Sequence, residues 1–310
     1  MENSVKIFDC FIFNDELDLL ELRLELCYEY VDYFILVEAE QSFTRRPSSY
    51  HFEKNKSRYS AFLDKIIHIK VNDFSNDDPW LNEYHQRNSI KEGLVNAKDE
   101  DLIFISDVDE IFNYSDILKS NALKFIKKVT HIMHFNNFYY YLNCYQKNMT
   151  NHSIAGPYSL LKNCNIGDRG KYRISLKPKY LKHEHGVLWG WHMSYMFGID
   201  LDKYIEKIKN FSHQEYNNKY YLNKKRIAAC ILIGVDFFER PDFYAMKYIK
   251  LDKRFPKRLS KIFHKSNKRY NLILKTNFYY ILIITMKKIK YSPKTLPIKR
   301  FVKNILRNKI

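Results

Sequence analysis

Apolar and polar positions follow two rhythms over the first 110 residues. Val5–Phe13 is β-branched and aromatic and reads as a strand. Leu17–Tyr30 then sets Leu17, Leu20, Leu24 and Cys27 on one face with charges between them, a helical period. Tyr33–Glu38 is a second strand-like run ending in acid, and Lys65–Val71 a third, built on Ile66, Ile67 and Ile69. Trp80–Ala97 reads as a helix and Asp101–Ser106 as a fourth strand. Strands alternating with helices predict a mostly parallel α/β sheet with right-handed crossovers. Ligands of such sheets collect at the carboxyl ends of the strands, near the switch in strand order. The fourth strand runs directly into Asp107-Val108-Asp109-Glu110, which puts three carboxylates at that edge.

Beyond residue 110 the pattern loosens. His131–Tyr145, aromatic and amide-rich, predicts a strand or strand pair bordering the site. Residues 146–182 contain Gly156-Pro157 and Gly167–Gly170, so turns and short strands are expected there. Leu201–Phe211 and Asn218–Ile233 read as helices, and from about residue 241 lysines interleave with aromatics. Charge sharpens that boundary. The net charge is +17, yet residues 1–240 hold 32 Lys/Arg against 33 Asp/Glu, and residues 241–310 hold 20 against 2. The expected organisation is a domain over 1–240 followed by a basic, helical appendage over 241–310. A neutral body removes the case for reading the whole chain as a nucleic-acid binder from its charge.

At 310 residues, 45% hydrophobic and 28% charged, the chain is long enough to bury a core. Its five cysteines are odd in number and form no CxxC pair, which removes a zinc ribbon or thioredoxin-type motif and fits a reduced, intracellular setting. No basic, then apolar, leader stands at the N-terminus. The longest apolar run, Phe278–Met286, is about half of the ~20 residues a spanning helix needs.

Asp107-Val108-Asp109 is the sharpest chemical feature. Two carboxylates one residue apart after a buried strand can bind a hard divalent cation, which in turn holds a diphosphate. The plain alternative is a solvated acidic turn. His192 and His213 are candidates to complete a metal shell or touch phosphate, or else are structural. Trp189 and Trp191 either stack on a sugar face or fill core.

A resemblance joins these features. Ile12–Leu24 (Ile-Phe-Asn-Asp-Glu-Leu-Asp-Leu-Leu-Glu-Leu-Arg-Leu), Val31–Glu38 and Ser42-Phe-Thr44 resemble the start of glycosyltransferase family 17. That family includes the β-1,4-mannosyl-glycoprotein β-1,4-N-acetylglucosaminyltransferases. Asp78-Pro-Trp80 with Glu83 and Arg87, then Ser106–Ile111, resemble its central block; Gly190–Ser194 and Lys207–Glu215 resemble its C-terminal block. The chain departs from the family pattern at Arg45–Ser49 and at Phe112-Asn113.

The resemblance implies a GT-A-type, Rossmann-like fold, UDP-N-acetylglucosamine as donor, inversion at the anomeric carbon, and Mn²⁺ or Mg²⁺ at the Asp-x-Asp. By position, Asp107 is expected at the ribose or metal and Asp109 at the metal and diphosphate, with His192 or His213 as a later metal or phosphate contact. Asn14, Glu16 and Glu38 are expected around the nucleotide, with Arg87 and Trp191 also on the donor. Inverting transfer needs a general base; Glu110 is the first candidate, followed by Glu215 and Asp200. The expected acceptor is a glycan or a lipid-linked saccharide. The basic region is expected on an anionic membrane surface at the cytoplasmic face, rather than on nucleic acid. Two other functions stay open on the residues alone: a metal-dependent phosphohydrolase or nuclease, and an inactive nucleotide-sugar-binding module.

Overall fold

A computed structural model describes residues 4–167, 179–180, 189–240, 246–249, 275–276 and 278–291. The chain divides into two compact units, one of Met1–Asn136, Met149–His192 and Asn210–His213, the other of Asn137–Asn148, Met193–Lys209 and Gln214–Ile310.

The first unit is α/β. In chain order it contains β1 (Ile7–Phe13), α1 (Leu17–Cys27), β2 (Tyr33–Ala39), α2 (His51–Lys54), β3 (Ile66–Val71), α3 (Pro79–Asn88), β4 (Leu102–Asp107) and β5 (Glu110–Phe112). Then come α4 (Tyr114–Lys119), α5 (Ala122–Ile126), parts of β6 (His131–Tyr139) and β7 (Cys144–Pro157), α6 (Tyr158–Leu161), β8 (Lys179–Tyr180) and the start of β9 (Gly190–Ser194). Strand order is β3-β2-β1-β4-β7-β6-β9-β5. The β3-β2-β1-β4 block is parallel, and β7 adds to β4 antiparallel, Ile105 opposite Ile154.

Both faces of β2 and β4, and nearly all of β1, are buried, which is why these strands read as largely apolar runs, while the edge strand β3 is half-buried. Cys10, Ile35, Val37, Ile103 and Ile105 share one core with Ile90 and Leu94. The intervening Phe34, Leu36 and Phe104 are buried as well, and Phe104 meets Phe112 and Tyr114 edge-on at 5.0 and 4.9 Å.

The expected α/β class and its four leading strands are present, with three local differences. The helix expected over Trp80–Ala97 is α3, begun by Asp78 capping the Trp80 N–H with Pro79 next to it, and it passes into a 3₁₀ turn over Ser89–Leu94. The helix expected over Asn218–Ile233 starts later, at an Asn223 cap. Residues 144–157 form one long strand rather than turns and short strands. Gly156 lies within that strand, where an added Cβ would come 2.8 Å from Thr130 Oγ1.

The second unit contains α7 (Leu201–Asn210), α8 (Lys224–Ile233), β10 (Met246–Tyr248), paired antiparallel with Cys144–Gln146, and α9 (Phe278–Tyr291). Tyr140, Tyr195, Tyr204 and Phe237 pack together in it. α9 packs on α8. Lys288 Nζ of α9 donates to the carbonyls of Ile233, Gly234 and Met246 at 2.6, 3.1 and 3.1 Å, and Lys287 meets Glu239 at 2.7 Å. Of the basic segments noted in the sequence, Lys253–Arg258 and Lys268–Tyr270 lie outside the described residues. No helix among the described residues is long and apolar enough to cross a membrane.

Candidate active site

Asp107 ends β4, level with Ile12 near the end of β1. The acidic turn therefore emerges at the carboxyl edge of the parallel block, beside the antiparallel β7. Asn14 and Glu16 follow β1 at the same edge, where the Asn14 N–H donates to Glu16 Oε2 at 3.3 Å.

β5 resumes immediately after the turn and pairs antiparallel with β9, so that Glu110 faces His192 and Ile111 faces Trp191. This pairing brings His192 Nε2 to 3.8 Å from Asp109 Oδ2. Gly190 permits it, since a Cβ there would lie 2.4 Å from the Ile111 carbonyl oxygen and 2.7 Å from the Phe135 ring. Both Trp189 and Trp191 are buried in the core.

α3 turns a polar face inward. Gln86 Nε2 donates to the carbonyls of Phe13 (3.3 Å) and Val37 (2.9 Å), at the ends of β1 and β2. Asn82 Nδ2 donates to the carbonyls of Phe43 and Asn76. Arg87 Nη2 donates to Asp107 Oδ1 at 3.2 Å and to Glu83 Oε1 at 2.8 Å, and its Nη1 reaches the Gly167 carbonyl at 3.2 Å. Glu83 also receives the Ser212 hydroxyl. The neighbouring His213 lies edge-on to Trp80, ring centres 4.6 Å apart.

The turn is held from within as well. Glu110 is 1% exposed; its Oε2 accepts from the Asp107 N–H at 3.1 Å and from Ser153 Oγ at 2.9 Å. Ser106 Oγ donates to the Glu110 carbonyl at 2.8 Å. Below the turn lies Arg23, a residue of α1 with no exposed surface. Its guanidinium reaches the carbonyls of Asp107 and Glu110, Ser106 Oγ, and the buried carboxylate of Asp9. Burial opposes the charge on Arg23, but Asp9 outweighs it and holds the pKa above its ordinary value. The nearby Cys10 and Cys27 thiols are pushed well up by burial, so neither supplies a thiolate nucleophile.

The residues singled out from the sequence thus divide. Asp107, Asp109, Glu110, Arg87 and His192 meet around the turn. Glu38 reaches the same sheet edge, level with Phe13. It is buried there, accepting from the N–H groups of Phe52 and Glu53 at 2.9 and 3.3 Å, with His68 Nε2 2.9 Å away. Glu215 and Asp200 are exposed residues of the second unit. Arg23, Asp9, Asn82, Gln86 and Ser153 went unnoticed. The available signal for the α3 residues is the i, i+4 spacing of Asn82 with Gln86, which puts two amides on one helix face beside the Glu83–Arg87 pair.

Among the described residues no three His, Cys, Asp or Glu side chains converge as a closed metal site. Asp109 and His192 offer a carboxylate oxygen and an imidazole nitrogen. That pair fits a hard divalent cation that takes the rest of its shell from phosphate and water.

The family model for glycosyltransferase family 17 matches residues 1–282. The chain belongs to glycosyltransferase family 17. It is a glycosyltransferase, and its mostly parallel α/β sheet flanked by helices is consistent with the Rossmann-like fold of such enzymes. No curated protein matches it in sequence. Among solved structures it is similar to HddC from Yersinia pseudotuberculosis, at 7% identity and a TM-score of 0.32, over 62% of this chain and 91% of that one. As a family 17 enzyme it has its strongest candidate for substrate chemistry in the turn Asp107–Glu110.

Proposed function

We propose that this glycosyltransferase is metal-dependent and inverting, with UDP-N-acetylglucosamine as donor and a glycan or lipid-linked saccharide as acceptor. The observation that carries this reading is the pairing of Asp109 with His192 beside an Asp107 that Arg87 holds at the carboxyl end of β4.

Asp109 and His192 are the residues that would hold Mn²⁺ or Mg²⁺. When bound, such a cation offsets the charge that develops on the departing nucleoside diphosphate. The chain's own side chains do the remaining work. Arg87 orients the Asp107 carboxylate and is itself held by Glu83. Asn14 and Glu16, just past β1, serve the nucleotide. The acceptor hydroxyl must lose its proton as it attacks the anomeric carbon from the face opposite the leaving group. Glu110, Glu215 and Asp200 are the candidate bases. The two hydrogen bonds into Glu110 Oε2 favour a turn-keeping role for that residue, which leaves Glu215 and Asp200 as the exposed carboxylates to test.

Residues 241–310, with their 20 Lys/Arg against 2 Asp/Glu, support a peripheral seat on anionic lipid at the cytoplasmic face.

The test is donor hydrolysis. Purified protein is given a panel of nucleotide sugars with and without Mn²⁺, and released nucleoside diphosphate is measured. The expected result is metal-dependent UDP release from UDP-N-acetylglucosamine, absent in an Asp109→Ala protein whose thermal unfolding is unchanged. Full turnover by folded Asp109→Ala would refute the metal site. Release from another nucleotide sugar would replace the donor.

A further inference from the structure

Asp9 and Arg23 each break the pattern of the element that carries them. Asp9 sits in the middle of β1 between apolar neighbours, and Arg23 sits among the leucines of α1; neither has exposed surface. A buried ion pair is weak evidence for stability, because two apolar side chains of similar volume usually serve the fold as well. What an apolar pair cannot supply is donors, and the geometry here uses all of them.

A guanidinium has five N–H groups in a planar fork. Nε and Nη2 meet the two Asp9 carboxylate oxygens at 2.9 and 2.5 Å, and Nη2 also reaches Ser106 Oγ at 2.8 Å. Nη1 spans the carbonyls of Asp107 (2.8 Å) and Glu110 (3.1 Å), the two ends of the acidic turn. The Phe11 ring lies 4.2 Å from the guanidinium carbon. Asp9 fixes the fork, and the fork sets the spacing of Asp107 and Glu110, the two ends of the turn that also carries Asp109.

We infer that Arg23, oriented by Asp9, is a positioning residue that fixes the Asp107–Glu110 turn and thereby sets affinity for the donor diphosphate and its cation. Arg23 is fully buried, so it acts through the turn and not on substrate. The inference rests on the proposal that this turn is the donor site. Lysine, with three donors and no planar fork, does not replace it.

The experiment measures UDP binding by calorimetry with and without Mn²⁺, together with thermal unfolding and the split of KM against kcat in donor hydrolysis. It compares the full chain with Arg23→Lys, with the charge-free double variant Asp9→Leu/Arg23→Met, and with Leu20→Ala. Leu20→Ala weakens the same helix at another buried residue. The folded Arg23 variants are expected to lose about 10–100-fold in Mn²⁺-dependent UDP affinity, as supporting residues around metal ligands do, and to raise KM for the donor more than they lower kcat. Leu20→Ala should lower the unfolding temperature and keep the affinity. Wild-type affinity in either folded Arg23 variant overturns the inference. Failure of both to fold assigns the pair to stability alone, which also overturns it. Absence of Mn²⁺-dependent UDP binding in the wild-type protein would instead bring down the donor-site reading, a distinct result seen before any variant is made.

Discussion

Glu110 stays buried by lending one carboxylate oxygen to the Asp107 N–H and the Ser153 hydroxyl. Glutamine keeps an oxygen for both donors, and alanine keeps none. Glu110→Gln is therefore expected to retain transfer, with a loss well short of the about 10²–10⁴-fold that removal of a general base causes. Glu110→Ala removes the acceptor from both donors, at about 1–3 kcal/mol for each bond lost, and should weaken donor binding along with stability. Initial rates and unfolding curves on the two variants check this. A Glu110→Gln protein that binds donor normally and does not turn over would make Glu110 the base. At the same scale, Asp107, Asp109 and Glu110 were legible in the sequence because acid following an apolar strand is unusual. Arg23 was not, since a charge between leucines on a helix reads as a solvated flank until the carbonyls it serves are known.

α3 and α9 show how polar contacts fasten elements alongside apolar packing, in which α9 buries Ile284. Gly167 accepts the Arg87 Nη1 bond, and its N–H donates to Asn88 Oδ1 at 2.9 Å. A Cβ at position 167 would lie 2.3 Å from the Tyr84 carbonyl oxygen, a backbone atom that cannot swing aside. Gly167→Ala should cost about 1–3 kcal/mol and loosen Arg87 from Asp107, read as a lower unfolding temperature with weaker UDP affinity. In the second unit, burial works to raise the Glu239 pKa, but hydrogen bonds from Lys287, Tyr220 and Arg226 bring it below its ordinary 4.5. A depressed carboxylate contributes stability above its unfolded pKa and loses it as pH falls through the folded value. The protection of α9 amides against hydrogen exchange, taken relative to the intrinsic rate at each pH, should then fall as pH drops below 4.5, and Glu239→Gln should remove that dependence. Strands β1, β2 and β4 could be read from their apolar runs because they are buried on both faces, and the half-buried edge strand β3 from its isoleucines. β7 could not: Tyr145-Gln-Lys-Asn-Met-Thr-Asn-His-Ser153 is polar with no clean alternation, and it is a strand because β4 and β10 pair with its two ends.

For the molecule as a whole, charge is concentrated at one end of the chain. Residues 241–310 hold an excess of 18 positive charges, while residues 1–240 are close to neutral. Lys287 and Lys288 are engaged by Glu239 and by backbone carbonyls, so attraction to lipid would draw on the remaining cations. The full chain is expected to sediment with phosphatidylserine vesicles, to release as salt shortens the Debye length, and to ignore neutral vesicles. Equal binding to both kinds would sink the electrostatic account. The history of the whole chain is constrained most sharply at Asp9 and Arg23. Losing one partner of a buried pair strands the other charge at about 3–5 kcal/mol, whereas replacing both with apolar residues is often harmless to the fold. Two codons on different elements therefore behave as a single locus. An apolar replacement is reached without a stranded charge only when both change together, and that step removes the scaffold of the acidic turn, so descendants that keep a folded chain with an apolar pair are expected to bind the donor more weakly.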